Sequence, residues 1–408
     1  MATLTLADIP EFEFAPSEDV DPHAYIRELR EKAPLARGGI GMIVALRHHH
    51  LELVTSDVTR QIETETKLMQ GISSGPIFDF IQAAMLFANG DIHQRRRQPV
   101  SRTFAFKLMD AMRPKAAELA TSLVKERLGK GPVDFVNEIA AQIPARIIAD
   151  ILGIPQSDLP IFMKWIADTA EALGFIDPER RETIEKSLVE FNAYVESLLE
   201  ERRRAPREDF ITEYLATTAK DETLSEIEIR TQVLGLILAG SDTTRGSMAI
   251  TLAHLLARPD QWAAFCADPD GLKKGVVDEG LRFDPIVSGV PRIAVQDVEI
   301  DGYTIPAGTP VAVSLLSALR DPDVYAAPDT FDIRRTDHPR WHPVFGAGAH
   351  RCVGEALARA ELEEALAAIA RTAPKSTLVG DFPRLQNGAI RQITGMTVRF
   401  EALSLIHI

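Results

Sequence analysis

Apolar residues recur along most of the chain at helical spacing. Leu362, Leu366 and Ile369 stand four and then three positions apart, which places them on one face of a helix. Residues 233–238 form a nearly uninterrupted apolar run, and a helical pattern continues from that run to Leu252. These patterns predict a mainly α fold with at least two long, buried helices.

Two regions depart from helical spacing and predict a small β region. Between Arg292 and Val313, apolar and polar residues alternate on either side of an Asp-Gly pair, a combination typical of a β-hairpin. A further strand is predicted from Met42 to Leu46. The three histidines of residues 48–50 cannot share one face of a helix, so we predict a polar helix start there rather than a metal site.

The sequence contains no low-complexity linker, internal repeat or Gly/Ser-rich tract. We therefore expect one compact domain over residues 1–402, despite the length of the chain. Residues 403–408 follow a strand-like stretch at 397–400 and match what a transposon-end adapter would encode. We interpret these six residues as a non-native tail.

Composition and charge narrow the class of protein. The chain has 408 residues and a net charge of −14, which argues against general affinity for nucleic acid. No apolar run approaches the ~18 residues of a membrane anchor, and the N-terminus lacks the sections of a signal peptide. Cys266 and Cys352 are the only cysteines, too few for a disulfide framework. We expect a cytoplasmic protein.

One segment carries candidate chemistry, because it presents a cysteine on a glycine-rich loop before a helix. Residues 345–354 read Phe-Gly-Ala-Gly-Ala-His-Arg-Cys-Val-Gly. Backbone N–H groups at a helix start stabilise a thiolate, and such a site suits haem ligated through sulfur. A dinucleotide-binding loop would need a third glycine where Arg351 stands. The remaining alternative is a buried, inert cysteine.

The pattern FxxGxHxCxG, filled by Phe345, Gly348, His350, Cys352 and Gly354, resembles the haem-binding signature of the cytochrome P-450 family. The resemblance implies the cytochrome P-450 fold, with haem b (iron protoporphyrin IX) between an oxygen-activation helix and the cysteine-loop helix. Cys352 would be the iron ligand. The cofactor contacts in this loop would be Phe345, Gly346, His350, Cys352 and Gly354.

The apolar run at 233–238 ends abruptly in Ala-Gly-Ser-Asp-Thr-Thr. Glycine weakens a helix and hydroxyl side chains bond to preceding carbonyls, so a local opening or an ordinary kink is expected. The segment resembles the oxygen-activation motif of the family. By that match Asp242 and Thr243 form the proton-delivery pair, the role of an acid relay.

The resemblance also assigns residues to the two haem propionates and to support of the cysteine loop. Buried carboxylates require charge-assisted donors. Glu279 and Arg282 match the Glu-x-x-Arg pair of the family, with either Arg334 or Arg335 as a third partner; Arg335 is the one we select. The propionate donors would be His93 and Arg97, spaced four apart on a predicted helix, with Arg292 and His350.

The substrate contacts implied by position in the family are almost wholly apolar, and several of them could equally be plain core. An apolar lining with few polar groups suits a small lipophilic substrate. The residues are Phe78, Phe80, Ile81, Met85, Leu86, Phe87, Phe175, Leu236, Ala239, Val287, Ser288, Val290 and Ile393.

The activity implied is a monooxygenase that hydroxylates a C–H bond with dioxygen. No segment resembles a flavin or iron–sulfur domain, so electrons would come from a separate ferredoxin or flavodoxin-type donor with its reductase. The arginines near residues 95–102 and beside Cys352 could steer an acidic donor. A peroxide-driven peroxygenase and a non-catalytic haem-binding carrier or sensor are the alternatives, and each leaves the Asp242-Thr243 pair less well explained.

Overall fold

The computed structural model describes residues 6–13, 20–104, 109–221, 224–386, 388–393 and 395–401. The tail predicted at 403–408 lies outside these residues. Contacts group the chain into two compact units. The first comprises the described parts of Met1–Ile62, Asp278–Cys352 and Leu385–Gln392, and the second those of Glu63–Val277, Val353–Arg384 and Ile393–Ile408.

The strands are short, and most are three to five residues long. In chain order they are β1 (Glu11–Phe12), β2 (Leu35–Gly38), β3 (Ile43–Ala45), β4 (Thr59–Gln61), β5 (Pro132–Asp134), β6 (Gly289–Ala294), β7 (Val298–Ile300), β8 (Tyr303–Ile305), β9 (Pro310–Ser314), β10 (Thr377–Val379) and β11 (Thr397–Arg399).

The first unit is built on a mixed sheet in the order β1-β2-β3-β9-β6-β4. Strand β3 runs parallel to β9, with Ile43 opposite Val311 and Ala45 opposite Val313. These four side chains are buried because both strands lie inside the sheet. The predicted strand at Met42–Leu46 is confirmed, and the predicted helix start follows it as a 3-10 helix over His48–Val54.

The predicted hairpin is confirmed as β7 and β8, which pair antiparallel. Asp301 has φ 47° and Gly302 has φ 85°, so both central residues lie in the left-handed region. Two successive residues of this kind define the tight turn that matches the twist of the flanking strands. An Asp-Gly pair is favoured there because both residue types tolerate that conformation.

Helices make up most of the second unit. The helices of the described residues are α1 (Pro22–Lys32), α2 (Glu65–Met69), α3 (Pro76–Ala83), α4 (Gly90–Thr103), α5 (Arg113–Lys125), α6 (Gln142–Ile151), α7 (Leu159–Thr169), α8 (Arg181–Arg204), α9 (Phe210–Asp221), α10 (Glu226–Leu256), α11 (Pro259–Ala267), α12 (Pro269–Phe283), α13 (Leu315–Ala318) and α14 (Glu355–Thr372).

Helix α10 is the longest and packs against α6, α8 and α14. A capping box starts it: Ser225 Oγ accepts from the Glu228 N–H, and Glu228 Oε2 accepts from the Ser225 N–H. Helix α14 packs along α5 and buries Leu362, Leu366 and Ile369, as their spacing predicts. The prediction of a mainly α fold with a small β region is confirmed. Within the described ranges, every helix is too short or too polar to cross a membrane.

Candidate haem site and oxygen helix

The cysteine loop is a tight, glycine-dependent turn that ends at a helix. Gly346 and Gly348 have φ values of 69° and 60°, which favour glycine. A Cβ on Gly348 would lie 3.1 Å from Thr55 Cγ2, so a side chain there would also crowd a neighbour. The Cys352 N–H donates to the Phe345 carbonyl at 2.7 Å, closing the loop. The thiol is exposed, three residues before α14 begins.

The hydrogen-bond donors of the first unit that the sequence analysis assigned to the haem propionates, Arg292 and His350, fit such a group. Arg292 is buried in β6, and its guanidinium meets uncharged oxygens of Gln61 and Thr59. Burial lowers the pKa of Arg292 to about 10. Among the described residues, none brings a carboxylate within ion-pair distance of this group, so a carboxylate-bearing cofactor would supply the partner that its charge requires. His350 is half-buried on the cysteine loop.

His93 and Arg97 lie in the second unit, one turn apart on α4. His93 is buried, and burial together with the charge of Arg97 lowers the pKa of its imidazole to about 4. The ring is therefore neutral at physiological pH and can donate one hydrogen bond. Helical geometry places both side chains on the same face, as their spacing predicts.

The polar segment of α10 does not interrupt the helix, which is α-helical from Glu226 to Leu256. The expected opening is therefore absent as a break in secondary structure. Instead, the hydroxyls bond back along the helix: Ser241 Oγ donates to the Ile237 carbonyl at 2.8 Å, and Thr243 Oγ1 to the Ala239 carbonyl at 2.9 Å. Ala239 is exposed and Thr243 is half-buried, unlike the buried run before them.

Asp242 is held by a residue that the sequence analysis missed. Its carboxylate accepts from Arg245, one turn further along α10. Both side chains are largely shielded from solvent. The three-residue spacing of Asp242 and Arg245 is a standard signal for a helical ion pair, and it could have identified Arg245 from the sequence.

A completely buried ion pair stands near the end of α12. Arg282 donates from Nε and Nη2 to the two carboxylate oxygens of Glu279, at 2.7 and 2.9 Å. Arg335 Nε lies 3.3 Å from Glu279 Oε2, whereas Arg334 is exposed. The geometry thus decides between the two arginines in favour of Arg335. Arg282 also donates to the carbonyls of Leu319, Pro328 and Thr330.

The predicted substrate contacts differ in exposure and in which unit they belong to. Phe80, Ile81, Leu236 and Ile393 are buried, while Leu86, Phe175 and Ala239 are exposed. Core residues and residues that line a pocket are both buried, so burial alone does not distinguish the two roles for these residues. Ser288 directs its hydroxyl to the Gly388 carbonyl at 2.6 Å. Val287 pairs with Ile390 in an isolated β-bridge. Phe78, Met85, Phe87 and Val290 are half-buried.

Two of the three consecutive histidines converge on Asp301, a residue that the sequence analysis did not connect with this predicted helix start. His49 Nε2 and His50 Nε2 lie 3.1 and 2.9 Å from its carboxylate. The Arg47 N–H donates to His50 Nδ1, so the proton of the neutral His50 ring is on Nε2 and is donated to Asp301. The three side chains thus form a hydrogen-bonded group at the start of the 3-10 helix.

Several of the clustered arginines are engaged in ion pairs. Arg95 and Arg96 both donate to Glu228. Burial raises the pKa of Glu228, but the hydrogen bonds from Arg95, Ser225 and Arg96 outweigh that effect and lower the pKa to about 2. Arg359 pairs with Glu355. The local positive charge is consequently smaller than the sequence suggests.

Comparison with known proteins identifies relatives over nearly the whole chain. The family model for cytochrome P450 matches residues 15–265 and 272–372. The plant-inducible cytochrome P450-pinF1 of Rhizobium radiobacter is 40% identical over 384 residues, covering 93% of this chain and 90% of that protein. The epothilone C/D epoxidase of Sorangium cellulosum is 33% identical over 377 residues, or 90% and 89% of the two chains. The solved structure of epothilone B-bound cytochrome P450epoK has a TM-score of 0.87 and 31% identity, covering 96% of this chain and 99% of that one.

Proposed function

We propose a specific reaction for this chain, which belongs to the cytochrome P450 family of monooxygenases. The enzyme would insert one oxygen atom of dioxygen into a C–H bond of a small lipophilic substrate. The observation that carries the proposal is the cysteine loop. Its exposed thiol follows two glycines in the left-handed region and stands directly before α14. Helix N-termini favour the thiolate form of a cysteine.

The cofactor we propose is haem b, which activates dioxygen when bound. Cys352 would hold the iron, and Phe345, Gly346 and Gly354 would lie against the ring. Arg292, His350, His93 and Arg97 would hold the propionates. Within the described residues, the buried Arg292 meets only uncharged partners. It supports this assignment most strongly, because an ionised carboxylate would complete its hydrogen bonding.

Asp242 and Thr243 would control protons at the oxygen helix. Thr243 Oγ1 donates to the Ala239 carbonyl, which leaves its oxygen able to accept a proton donor's hydrogen bond. Arg245, one turn further along α10, holds the Asp242 carboxylate, which would pass protons from solvent. The protein thus supplies orientation and proton delivery.

A lipophilic substrate is supported by the apolar character of the proposed contacts. Twelve of the thirteen residues proposed above to face the substrate carry no polar side-chain atom that can donate or accept a strong hydrogen bond, and the one hydroxyl, of Ser288, is already committed to Gly388. Few polar groups remain to anchor a charged or sugar-like molecule.

The electron donor would be a separate acidic ferredoxin or flavodoxin-type protein with its reductase. Trp341, 61% exposed, lies under two guanidiniums: Arg351 and Arg340 have their Cζ atoms 4.8 and 5.3 Å from its ring centroid. Arg351 belongs to the cysteine loop. A cationic surface with an aromatic centre at this loop would attract an acidic partner. We place the enzyme in the cytoplasm, where its two cysteines, which form no disulfide, would stay reduced.

The first experiment is the ferrous carbon monoxide difference spectrum of the purified protein and of Cys352→Ser. We expect the Soret band that gives the family its name in the wild type and its loss in Cys352→Ser. Cys266→Ser is the matched control, because burial raises the pKa of that thiol to about 11 and leaves it unsuited to bind metal. A wild-type band at the shorter wavelength typical of histidine or thiol ligation would contradict the proposal.

Turnover assays then distinguish dioxygen from hydrogen peroxide as the source of the oxygen atom. We expect product with NADH, ferredoxin and ferredoxin reductase under air, using a panel of lipophilic compounds that shift the ferric spectrum. Hydrogen peroxide should support less turnover. If peroxide supports more than the reductase system does, the enzyme is a peroxygenase. Haem binding with neither activity would indicate a carrier or sensor.

A further inference from the structure

A buried glutamine of α10 fastens the backbone of the segment that carries three proposed substrate contacts. Gln232 is 1% exposed. Its Oε1 accepts from the Met85 N–H at 2.7 Å, and its Nε2 donates to the Ala83 carbonyl at 2.9 Å. Nε2 also donates to the Glu228 carbonyl of the preceding turn at 2.8 Å. The side-chain amide therefore has a partner for its oxygen and for both N–H groups.

The Ala83 carbonyl and the Met85 N–H stand at the ends of secondary-structure elements, where backbone groups have no partner within their own element. Ala83 is the last residue of α3, and Met85 is the first residue of a 3-10 turn that ends at Phe87. The last carbonyls of a helix and the first N–H groups of the next have no partner within their own element. Ala84 between them is extended, with φ −75° and ψ 139°. One amide thus caps the end of one element and the start of another.

A second contact ties the same stretch to the start of α10. Arg96 Nη1 donates to the Gln82 carbonyl at 2.9 Å, and its Nε donates to Glu228 Oε1 at 2.9 Å. The backbone of residues 82–85 is consequently pinned to the first two turns of α10. Gln232 stands ten residues before Asp242, or about 15 Å along the helix axis.

We propose that Gln232 is a positioning residue that sets how closely Met85, Leu86 and Phe87 approach the bound ligand, and thereby limits the size of substrate that the enzyme accepts. This inference rests on the proposed function, because it takes those three residues as substrate contacts. An amide is required, since the position needs an acceptor for Met85 and a donor for Ala83. A carboxylate would face two carbonyls, and an apolar side chain would leave both groups of the segment unsatisfied.

The first test needs no haem. Hydrogen–deuterium exchange is measured by mass spectrometry on the wild type, on Gln232→Met, and on the control Thr231→Val, which changes a buried polar neighbour on the same helix. We expect peptides covering residues 83–92 of Gln232→Met to exchange about tenfold faster, while peptides of α14 are unchanged. Thr231→Val should match the wild type. Unchanged exchange over 83–92 in Gln232→Met would overturn the proposal.

The second test compares the binding of a small and a bulky haem ligand. Imidazole and the bulkier 4-phenylimidazole are titrated into the ferric holoenzyme, and their dissociation constants are compared. In Gln232→Met we expect imidazole to stay within about twofold of the wild type and 4-phenylimidazole to change at least about fivefold. Equal changes for both ligands would mean general destabilisation and would overturn the proposal.

A second variant protects the test against misfolding. Gln232→Glu keeps an acceptor for the Met85 N–H but turns its second oxygen toward the Ala83 and Glu228 carbonyls, so its exchange over 83–92 should also exceed that of the wild type; exchange equal to the wild type would count against the proposal. If the wild type itself binds no thiolate-ligated haem, the proposed function fails, while the exchange result still decides whether Gln232 holds the segment.

Discussion

Removing the charge of Glu279 tests the buried ion pair most directly. Glu279 and Arg282 have fully buried side chains, and Arg335 beside them is 6% exposed. Glu279→Gln keeps the shape of the side chain and removes its charge. Among the described residues, Arg282 then has no carboxylate partner, while Arg335 keeps only its pair with Asp337, and an amide NH2 group is turned toward the two guanidiniums.

The expected loss can be worked from these contacts. Breaking a buried pair by changing one partner costs about 3–5 kcal/mol. Glu279 also accepts from the Asp332 N–H at 2.7 Å, and a weakened neutral hydrogen bond there adds to the loss. Against a typical unfolding free energy of about 5–15 kcal/mol, this is a large fraction. We expect the midpoint of urea unfolding to fall sharply.

The assay is urea unfolding of the holoenzyme, followed by far-UV circular dichroism and by the Soret band. Glu200→Gln is the matched control, because its pair with Arg204 is exposed and should contribute less than about 1 kcal/mol. Arg335→Gln against the exposed Arg334→Gln gives a second comparison. If Glu279→Gln loses no more stability than Glu200→Gln, the buried pair does not stabilise the fold and the argument is refuted.

Three further predictions follow from other residues. Thr243→Ala should consume NADH with less product per electron, and unchanged coupling between NADH oxidation and product would remove the role we give its hydroxyl. Arg292→Met should release haem to an acceptor protein at least about tenfold faster, since one charge-assisted hydrogen bond is lost, whereas Arg37→Met, which breaks an exposed pair with Glu11, should not. Burial lowers the pKa of Lys67 to about 8, so between about pH 8 and pH 10.5 the unfolded chain binds more protons and stability should rise with pH, by up to about 3 kcal/mol. Lys67→Met should remove that rise in urea unfolding at pH 8 and pH 10, and an equal rise in the variant would exclude Lys67 as its source.

Short-range pattern was enough to predict the main elements of the fold. The spacing of Leu362, Leu366 and Ile369 defined the buried face of α14, and the Asp-Gly pair defined the hairpin turn, because each depends on residues at most seven positions apart. The cysteine loop was equally readable, since its glycines, its cysteine and the following helix are consecutive in the chain.

Partners distant in the chain were beyond prediction from one sequence. Arg334 and Arg335 are adjacent and chemically identical, and only the path of the loop brings Arg335 to Glu279. His49 and His50 meet Asp301 because β7 and β8 bring that turn to them, some 250 residues further on. The positive charge predicted for the arginines near residues 95–102 is likewise lowered, because Arg95 and Arg96 pair with Glu228 more than 130 residues away.

The sequence by itself determined the class of fold, the family and the cysteine that we propose as the iron ligand, because these follow from local periodicity and from a motif of consecutive residues. Only the tertiary structure decided which charges are neutralised, that α10 stays helical through its polar segment, and that Gln232 holds the backbone at Ala83 and Met85. Burial and hydrogen-bond partnership depend on the whole chain, and a polar residue in an apolar run gives no sign of which backbone group it will meet.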